Sequence, residues 1–536
     1  MKLARVFRAL ALLVLLPALP AVAADGIVTL LHVSDTHSHL DATGPRDAAL
    51  RGTVGGIAKV TTVVGMARAE DPEALLLHAG DLFQGDLFFN VAFGVPELGW
   101  MKAMGFDAMT VGNHEFDLGP ENLAGILATA FADGGIPLLS ANASGLEAVG
   151  LAGFVAPSVL KTRGGVAVGI FGLTVPDEPL SQNAPVVLDP DVAGAAAREV
   201  AALRASGAEL VVLLSHLGFA RDVEVASSVE GVDVVVGGHD HLVLEEPLEV
   251  TGPGGRKAWV LQAGPHYARV GRLRVAVAGG QVSLASYELL PLDETVPPEP
   301  GVAQLVEGLR GMVEEAFPGV YSVAVGQARR DLPAVVSGPA PARDSPVGNL
   351  VADAFRAKGH TQVALTTAGF LSEGIARGPI VPADLFRVVS YGYDPDTGMG
   401  FPLATFRISG AEMVKALEIA LAGPGPTDPF FPQVSGLSFA YNSSRAPGAR
   451  LLLPSLRVDG APLEPMKRYT VTANAALVSF LPLLGVSVEA VAPIPDAFEY
   501  TALLRHVLRL GGVVDPRSEG RVRDQAPPPV GQTASR

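Results

Sequence analysis

The chain has no cysteine among its 536 residues. That excludes disulfides, thiolate-held zinc, iron–sulfur clusters, Cys nucleophiles and lipid attachment through a Cys. It also suits an oxidising compartment, where a free thiol is a liability. Positive charge is scarce: 39 Lys and Arg against 55 Asp and Glu leave a formal charge of −16. A protein that binds a nucleic-acid polymer shows a basic face, so that partner class is excluded. Small anionic substrates stay open, because metal ions can supply local positive charge. After residue 24 no apolar run reaches the roughly 18 uninterrupted residues of a membrane span, and there is no internal repeat. Gly (61) and Pro (43) make the chain loop-rich without making it low-complexity, and 49% apolar residues suffice for real cores. At about 150 residues per domain the length fits three or four domains or two large ones. Oligomeric state is not legible.

Residues 1–24 read as a secretory signal. Lys2, Arg5 and Arg8 form a basic start, Ala9–Leu19 is an apolar run broken by Pro17, and Ala21-Val22-Ala23 or Val22-Ala23-Ala24 offers a small-x-small cleavage site. The expectation is an exported, periplasmic protein with no membrane segment after cleavage.

From Ile27 to about Leu290 one pattern recurs: a short Val/Leu/Ile run ends in polar residues. Ile27–Val33 runs into Ser34-Asp35-Thr36-His37, and Ala74–Leu77 into His78-Ala79-Gly80-Asp81. Ala108–Val111 runs into Gly112-Asn113-His114-Glu115, Leu210–Leu214 into Ser215-His216, and Val232–Val236 into Gly237-Gly238-His239-Asp240-His241. Such runs read as buried strands. Helical patterns lie between some of them, as at Gly56–Glu70 and Val192–Ser206. The alternation predicts a layered α/β domain over 25–290, with sites beyond the carboxyl ends of the strands. Residues 291–320 read as a Pro- and acid-rich linker that includes a helix at Val302–Phe317. A smaller α/β region is expected over 321–520, with strands at Leu403–Ile408 and Tyr469–Thr472 and helices at Asn349–Lys358, Ala411–Leu421 and Tyr500–Leu510. Residues 521–536 read as a disordered tail.

Nine of the eleven His residues lie before residue 270. Asp35-x-His37 and His239-x-His241 place their donors on one face if the backbone is extended. Asp81 follows a Gly that allows close backbone approach, Asn113 offers an amide oxygen and His216 a further imidazole. Asp35, His37, Asp81, Asn113, His216, His239 and His241 make seven candidate ligands, too many for one zinc. If one carboxylate bridges, each of two metals gains four protein ligands and room for a water. Mixed N/O donors without sulfur suit Mn, Zn, Fe or Co, and the sequence does not choose among these or Mg. His32, His39, His78 and His266 flank these residues and read as supporting or packing groups.

Taken together, Asp35-x-His37, Gly80-Asp81, Gly112-Asn113-His114-Glu115, Ser215-His216 and Gly238-His239-x-His241 resemble the calcineurin-like metallophosphoesterase superfamily, whose domain is two packed sheets flanked by helices. The extension to Phe116-Asp117, with Ser345-Pro346-Val347-Gly348-Asn349 and Gln433-Val434-Ser435-Gly436 further on, resembles the exported bacterial 5′-nucleotidase family and its C-terminal substrate-binding domain. The resemblance implies a secreted dinuclear-metal phosphohydrolase acting on nucleotides or related phosphate esters by attack of a metal-bound hydroxide. It implies Asp35, His37 and His241 on one metal, Asn113, His216 and His239 on the other, and Asp81 as the bridge. His114 is then the non-ligating catalytic group and Asp117 its orienting carboxylate. The chain departs from the family pattern in the second domain. Ser372 stands where the family's substrate-gripping Arg is expected, with Arg377 as a nearby substitute. The segment carrying one aromatic jaw of the base clamp is missing, and Phe431 matches the other jaw. Alternative readings are a thiosulfohydrolase of sulfur oxidation on the same metals, and a non-catalytic binding protein with a degenerate substrate domain.

Overall fold

The computed structural model describes residues 25–526 apart from 179–180, 337–342, 424 and 426–427. The expected signal at 1–24 and residues 527–536 of the expected tail lie outside the described residues.

The strand Gly26–Val33 shows why the apolar runs stack into layers. Side chains alternate along it. Val28 and Leu30 face one way, into a core shared with Leu75, Leu77, Val168, Ile170, Val212, Leu214, Val234 and Val236. Leu31 and Val33 face the other way, onto Ile57, Val60 and Val64 of the helix Ile57–Glu70. The first core therefore lies between two sheets. One is seven-stranded, in the order Gln281–Pro291, Arg269–Ala278, Gly26–Val33, Leu75–His78, Ala108–Thr110, Leu138–Leu139, Val155–Ala156. The other is six-stranded, in the order Leu248–Thr251, Lys257–Leu261, Val234–Gly237, Leu210–His216, Val166–Thr174, Ser158–Arg163. On the outer face of the second sheet, Phe171, Leu173, Val211 and Leu213 meet the helices Val192–Ala205 and Phe219–Ser228. Strands buried on both faces are what parallel pairing between covering helices requires. The site-bearing strands run parallel to one another within each sheet: Gly26–Val33, Leu75–His78 and Ala108–Thr110 in one, Leu210–His216 and Val234–Gly237 in the other. All five polar clusters thus leave the sheets at carboxyl ends.

The segment 291–320 is not a free spacer. Its helix, Pro300–Ala316, buries Val306, Leu309 and Val313 in the core that holds Ile57 and Val60. That core continues into the second domain through Val347, Phe355, Phe386 and Leu503. The second domain is built on a five-stranded sheet in the order Pro432–Ser435, Val363–Thr367, Arg468–Asn474, Pro402–Ser409, Glu489–Phe498. Its helix Pro346–Gly359 starts three residues before the expected Asn349, because the Ser345 hydroxyl accepts the Gly348 N–H at 2.9 Å and Pro346 takes the first turn. Past residue 520, Val522–Asp524 pairs in parallel with Leu437–Tyr441, so ordered structure extends into the segment expected to be a tail.

Candidate metal centre

The two sheets deliver their donors to one point. Asp35, His37 and His241 form one group, and Asp81, His216 and His239 a second; within each, one donor atom per residue lies within 4.8 Å of the others. Asp81 touches both: its Oδ2 is 3.0 Å from His216 Nε2 and 3.8 Å from His37 Nε2. Asn113 Oδ1 joins the second group, 3.2 Å from His216 Nε2 and 3.1 Å from His239 Nδ1. His37 Nε2 and His241 Nε2 face each other at 3.0 Å. Asp35 Oδ1 accepts the His239 N–H at 2.7 Å, while its buried Oδ2 has no hydrogen-bond partner.

The donors do not converge by strand alternation, as an extended Asp-x-His would. Asp35, His37, Asp81, His239 and His241 all sit at positive φ, between 48° and 78°. Non-glycine residues avoid that region, so the surrounding contacts hold the strain. Two glycines make room for it. A Cβ on Gly80 (φ +87°) would come within 2.6 Å of the His216 ring, and one on Gly112 within 2.2 Å of Asp81 Oδ1.

Backbone carbonyls orient the imidazoles. His37 Nδ1 donates to Phe83 O at 3.1 Å and His216 Nδ1 to Ala79 O at 2.7 Å, which leaves Nε2 of each as the donor atom at the centre. Burial, together with neighbouring imidazoles, lowers His239 to about 4 and His241 to about 3, which keeps both neutral as ligands must be. Burial also raises Asp35 to about 7. The donor set fits divalent cations: nitrogen and oxygen atoms only, in two groups sharing a carboxylate, with buried carboxylates needing compensation.

His114 belongs to neither group. Its Nδ1 lies 2.6 Å from Asp117 Oδ2, and its backbone N–H donates to Asp81 Oδ1 at 3.0 Å. Burial opposes its charge, but Asp117 and Asp81 outweigh burial and raise it to about 10. Four groups escaped sequence reading. Glu115 accepts N–H bonds from Gly112 (2.6 Å), Asp81 (3.1 Å) and Leu82 (2.7 Å), tying the two ligand loops together. It stood inside the quoted motif, which was the available signal. Thr36, Glu97 and Tyr267 form a buried chain with His78, next to the loops that carry Asp35 and Asp81. Tyr267 Oη donates to Glu97 at 2.7 Å, and Thr36 Oγ1 lies 3.0 Å from His78 Nε2.

The second domain reaches the centre through Tyr391, whose ring stacks on His114 with centroids 4.6 Å apart and planes 13° from parallel. Ser372 is buried beside Tyr391. Phe431 does not offer a stacking face. It is 1% exposed in the second domain's core, edge-on to Tyr441, so its faces are spent on packing. Arg377 is exposed, its backbone N–H held by Asp331 at 2.7 Å. The buried guanidinium of this domain is Arg387, which bonds Asp86 at 2.5 Å and Asp384 at 2.9 Å. Asp384 in turn accepts from Arg46 at 2.8 Å, which completes an ion chain between the domains.

Residues 28–243 match the calcineurin-like phosphoesterase family and residues 324–479 the 5′-nucleotidase C-terminal domain. The 5′-nucleotidase of Bos taurus is 30% identical over 497 residues, covering 84% of this chain and 83% of that protein. The trifunctional nucleotide phosphoesterase protein YfkN of Bacillus subtilis (strain 168) is 28% identical over 545 residues; the match takes in 93% of this chain, which spans only 35% of that protein's length. The crystal structure of a 5′-nucleotidase precursor from Thermus thermophilus is similar with a TM-score of 0.81 and 30% identity, covering 94% of this chain and 100% of that one.

Proposed function

The chain belongs to the 5′-nucleotidase family, and from that premise we propose that it is an exported dinuclear-metal phosphohydrolase that removes phosphate from nucleotides or related phosphate esters. The observation that carries this is the pairing of His114 with Asp117 at 2.6 Å beside seven converging donors that share Asp81.

Asp35, His37 and His241 would hold one divalent cation, Asn113, His216 and His239 the other, and Asp81 both. The cations would supply Lewis-acid polarisation of the phosphoryl oxygens and an activated water. His114 has its Nδ1 committed to Asp117, so Nε2 is the atom left to give a hydrogen bond or a proton to the phosphoryl or leaving oxygen. Asp117 fixes the tautomer and stabilises the imidazolium, the role a carboxylate plays in other His–carboxylate pairs. Glu115 holds the Gly112 and Asp81–Leu82 backbones so that the ligand loops keep their spacing.

Base recognition is weak in this reading. Ser372 cannot make a bidentate, charge-assisted contact to phosphate as Arg does. Phe431 is a core residue, and Arg377 is an exposed residue whose backbone is tied to Asp331. Generic phosphomonoesters are therefore hydrolysed nearly as well as AMP.

A panel of AMP, other nucleotides, cyclic nucleotides, nucleotide sugars, p-nitrophenyl phosphate and a thiosulfonate carrier, assayed with Mn, tests the reading. Phosphate release from the monoesters is the expected result. Sulfate release from the thiosulfonate with no phosphate from any ester would replace it with the thiosulfohydrolase reading. Export has its own test: amino-terminal sequencing of the expressed protein is expected to begin at Ala24 or Asp25.

A further inference from the structure

We propose a third divalent-cation site, formed by His39, His266 and Glu373, that ties the two domains together beside the dinuclear centre. One donor atom from each of the three residues lies within 4.8 Å of the others. The proposal does not depend on the substrate reading above.

The argument starts from the tautomer of His39, whose side chain is fully buried. Its Nδ1 sits 2.8 Å from His37 O and 3.1 Å from Thr36 O. Carbonyl oxygens only accept, so Nδ1 carries the hydrogen, and in the neutral ring Nε2 presents a lone pair. That lone pair points at Glu373 Oε2, 3.5 Å away, and makes no hydrogen bond. His266 stacks on His39 with ring centroids 4.0 Å apart, and its buried Nε2 is also without a partner. One ring nitrogen from each imidazole and a carboxylate oxygen therefore lie within ligating reach of one another.

The nearby guanidinium of Arg387 spends its hydrogen bonds elsewhere, Nε on Asp86 at 2.5 Å and Nη1 on Asp384 at 2.9 Å, and reaches Glu373 only through space. Electron-rich atoms at such distances repel unless a cation or a shared proton lies among them, and the metal count below separates the two. Two donors bound at about 2.1 Å in a tetrahedral site stand about 3.4 Å apart, close to the 3.5 Å between His39 Nε2 and Glu373 Oε2. Two imidazoles and one carboxylate suit Zn, Co or Mn.

The placement gives the site a consequence. His39 and His266 come from the first domain, and Glu373 comes from the second, one residue after Ser372. The His266 ring lies 5.6 Å from that of His241 and 5.8 Å from that of His37. An ion here would hold the second domain against the dinuclear centre.

The test is a metal count on the full-length mature protein, loaded with Co²⁺, dialysed and measured by mass spectrometry. Three equivalents per chain are expected for the wild type and two for Glu373→Gln and for His266→Gln, with circular dichroism checking that each variant folds. A wild type that holds two equivalents, with both variants also holding two, would overturn the third site and leave the dinuclear centre standing. A wild type that holds one, lost in Glu373→Gln, would support this site and sink the dinuclear reading. A stoichiometry of two in all three proteins, with Glu373→Gln lowering thermal stability only below neutral pH, would mean that a shared proton occupies the place assigned to the ion, and would also overturn the proposal.

Discussion

Tyr391 and His114 lie face to face, 4.6 Å apart, although one belongs to the second domain and the other to the first. The His114 imidazole is thus held from two sides: Asp117 grips its Nδ1, and Tyr391 covers one face.

That stack makes Tyr391 a positioning residue. Aromatic pairs contribute about 0.5–1.5 kcal/mol beyond burial, roughly a 2- to 12-fold effect on a rate. Tyr391→Ala is expected to lower kcat/KM for p-nitrophenyl phosphate by about that factor, and Tyr391→Phe to restore most of it. In a His114→Ala background the Tyr391→Ala effect should vanish; an undiminished effect there would separate Tyr391 from His114.

His114→Ala is expected to keep the metals and lose roughly 10²- to 10⁴-fold in kcat, as for a positioned acid. Asp117→Asn should cost less. Loss of metal from His114→Ala would make it a ligand instead.

The pH profile follows from the sign of the His114 shift. Burial works against the charged form, but Asp117 and Asp81 outweigh it and raise the pKa to about 10. The charged form therefore survives neutral pH and is lost as pH rises through that value. Activity that depends on it should fall on the alkaline side. Asp117→Asn removes the main support, so its alkaline limb should move to lower pH. An unmoved limb in a kcat/KM profile would assign that titration to another group.

Asp81 is placed to serve both donor groups. Counted in a Glu373→Gln background, so that only the dinuclear centre contributes, Asp81→Ala should strip both ions. Retention of one full equivalent would contradict the bridging role.

In the proposed function, specificity turns on Ser372. A preference of more than about 100-fold for AMP over p-nitrophenyl phosphate, some 2.7 kcal/mol, would show that other residues rebuild the nucleotide pocket. The expected ratio is far smaller, and Ser372→Arg should lower KM for AMP.

The candidate metal-binding groups were legible in the sequence because their chemistry is written in residue types at strand ends. Val33 to Asp35, His78 to Asp81, Thr110 to Asn113, the end of Leu210–His216 and Gly237 to His239 each follow a buried apolar run, and parallel pairing carries them to one edge. The helices at Ile57–Glu70, Val192–Ala205, Pro346–Gly359 and Glu499–Arg509 were legible too, from periodicity and caps. The route by which donors converge was not. Asp35-x-His37 suggested extended alternation, whereas the backbone at both residues is left-handed, a state that local propensity disfavours and only the folded surroundings impose. Phe431 shows the same limit, since its residue type suits a clamp and a core equally, and burial decides. Local pattern determined the layers, the strand ends and the donor set. Contacts between residues far apart in sequence — Tyr391 on His114, Arg387 on Asp86, Glu373 toward His39 — were decided only when the second domain packed against the first, because no periodicity or spacing records which side chains meet across an interface.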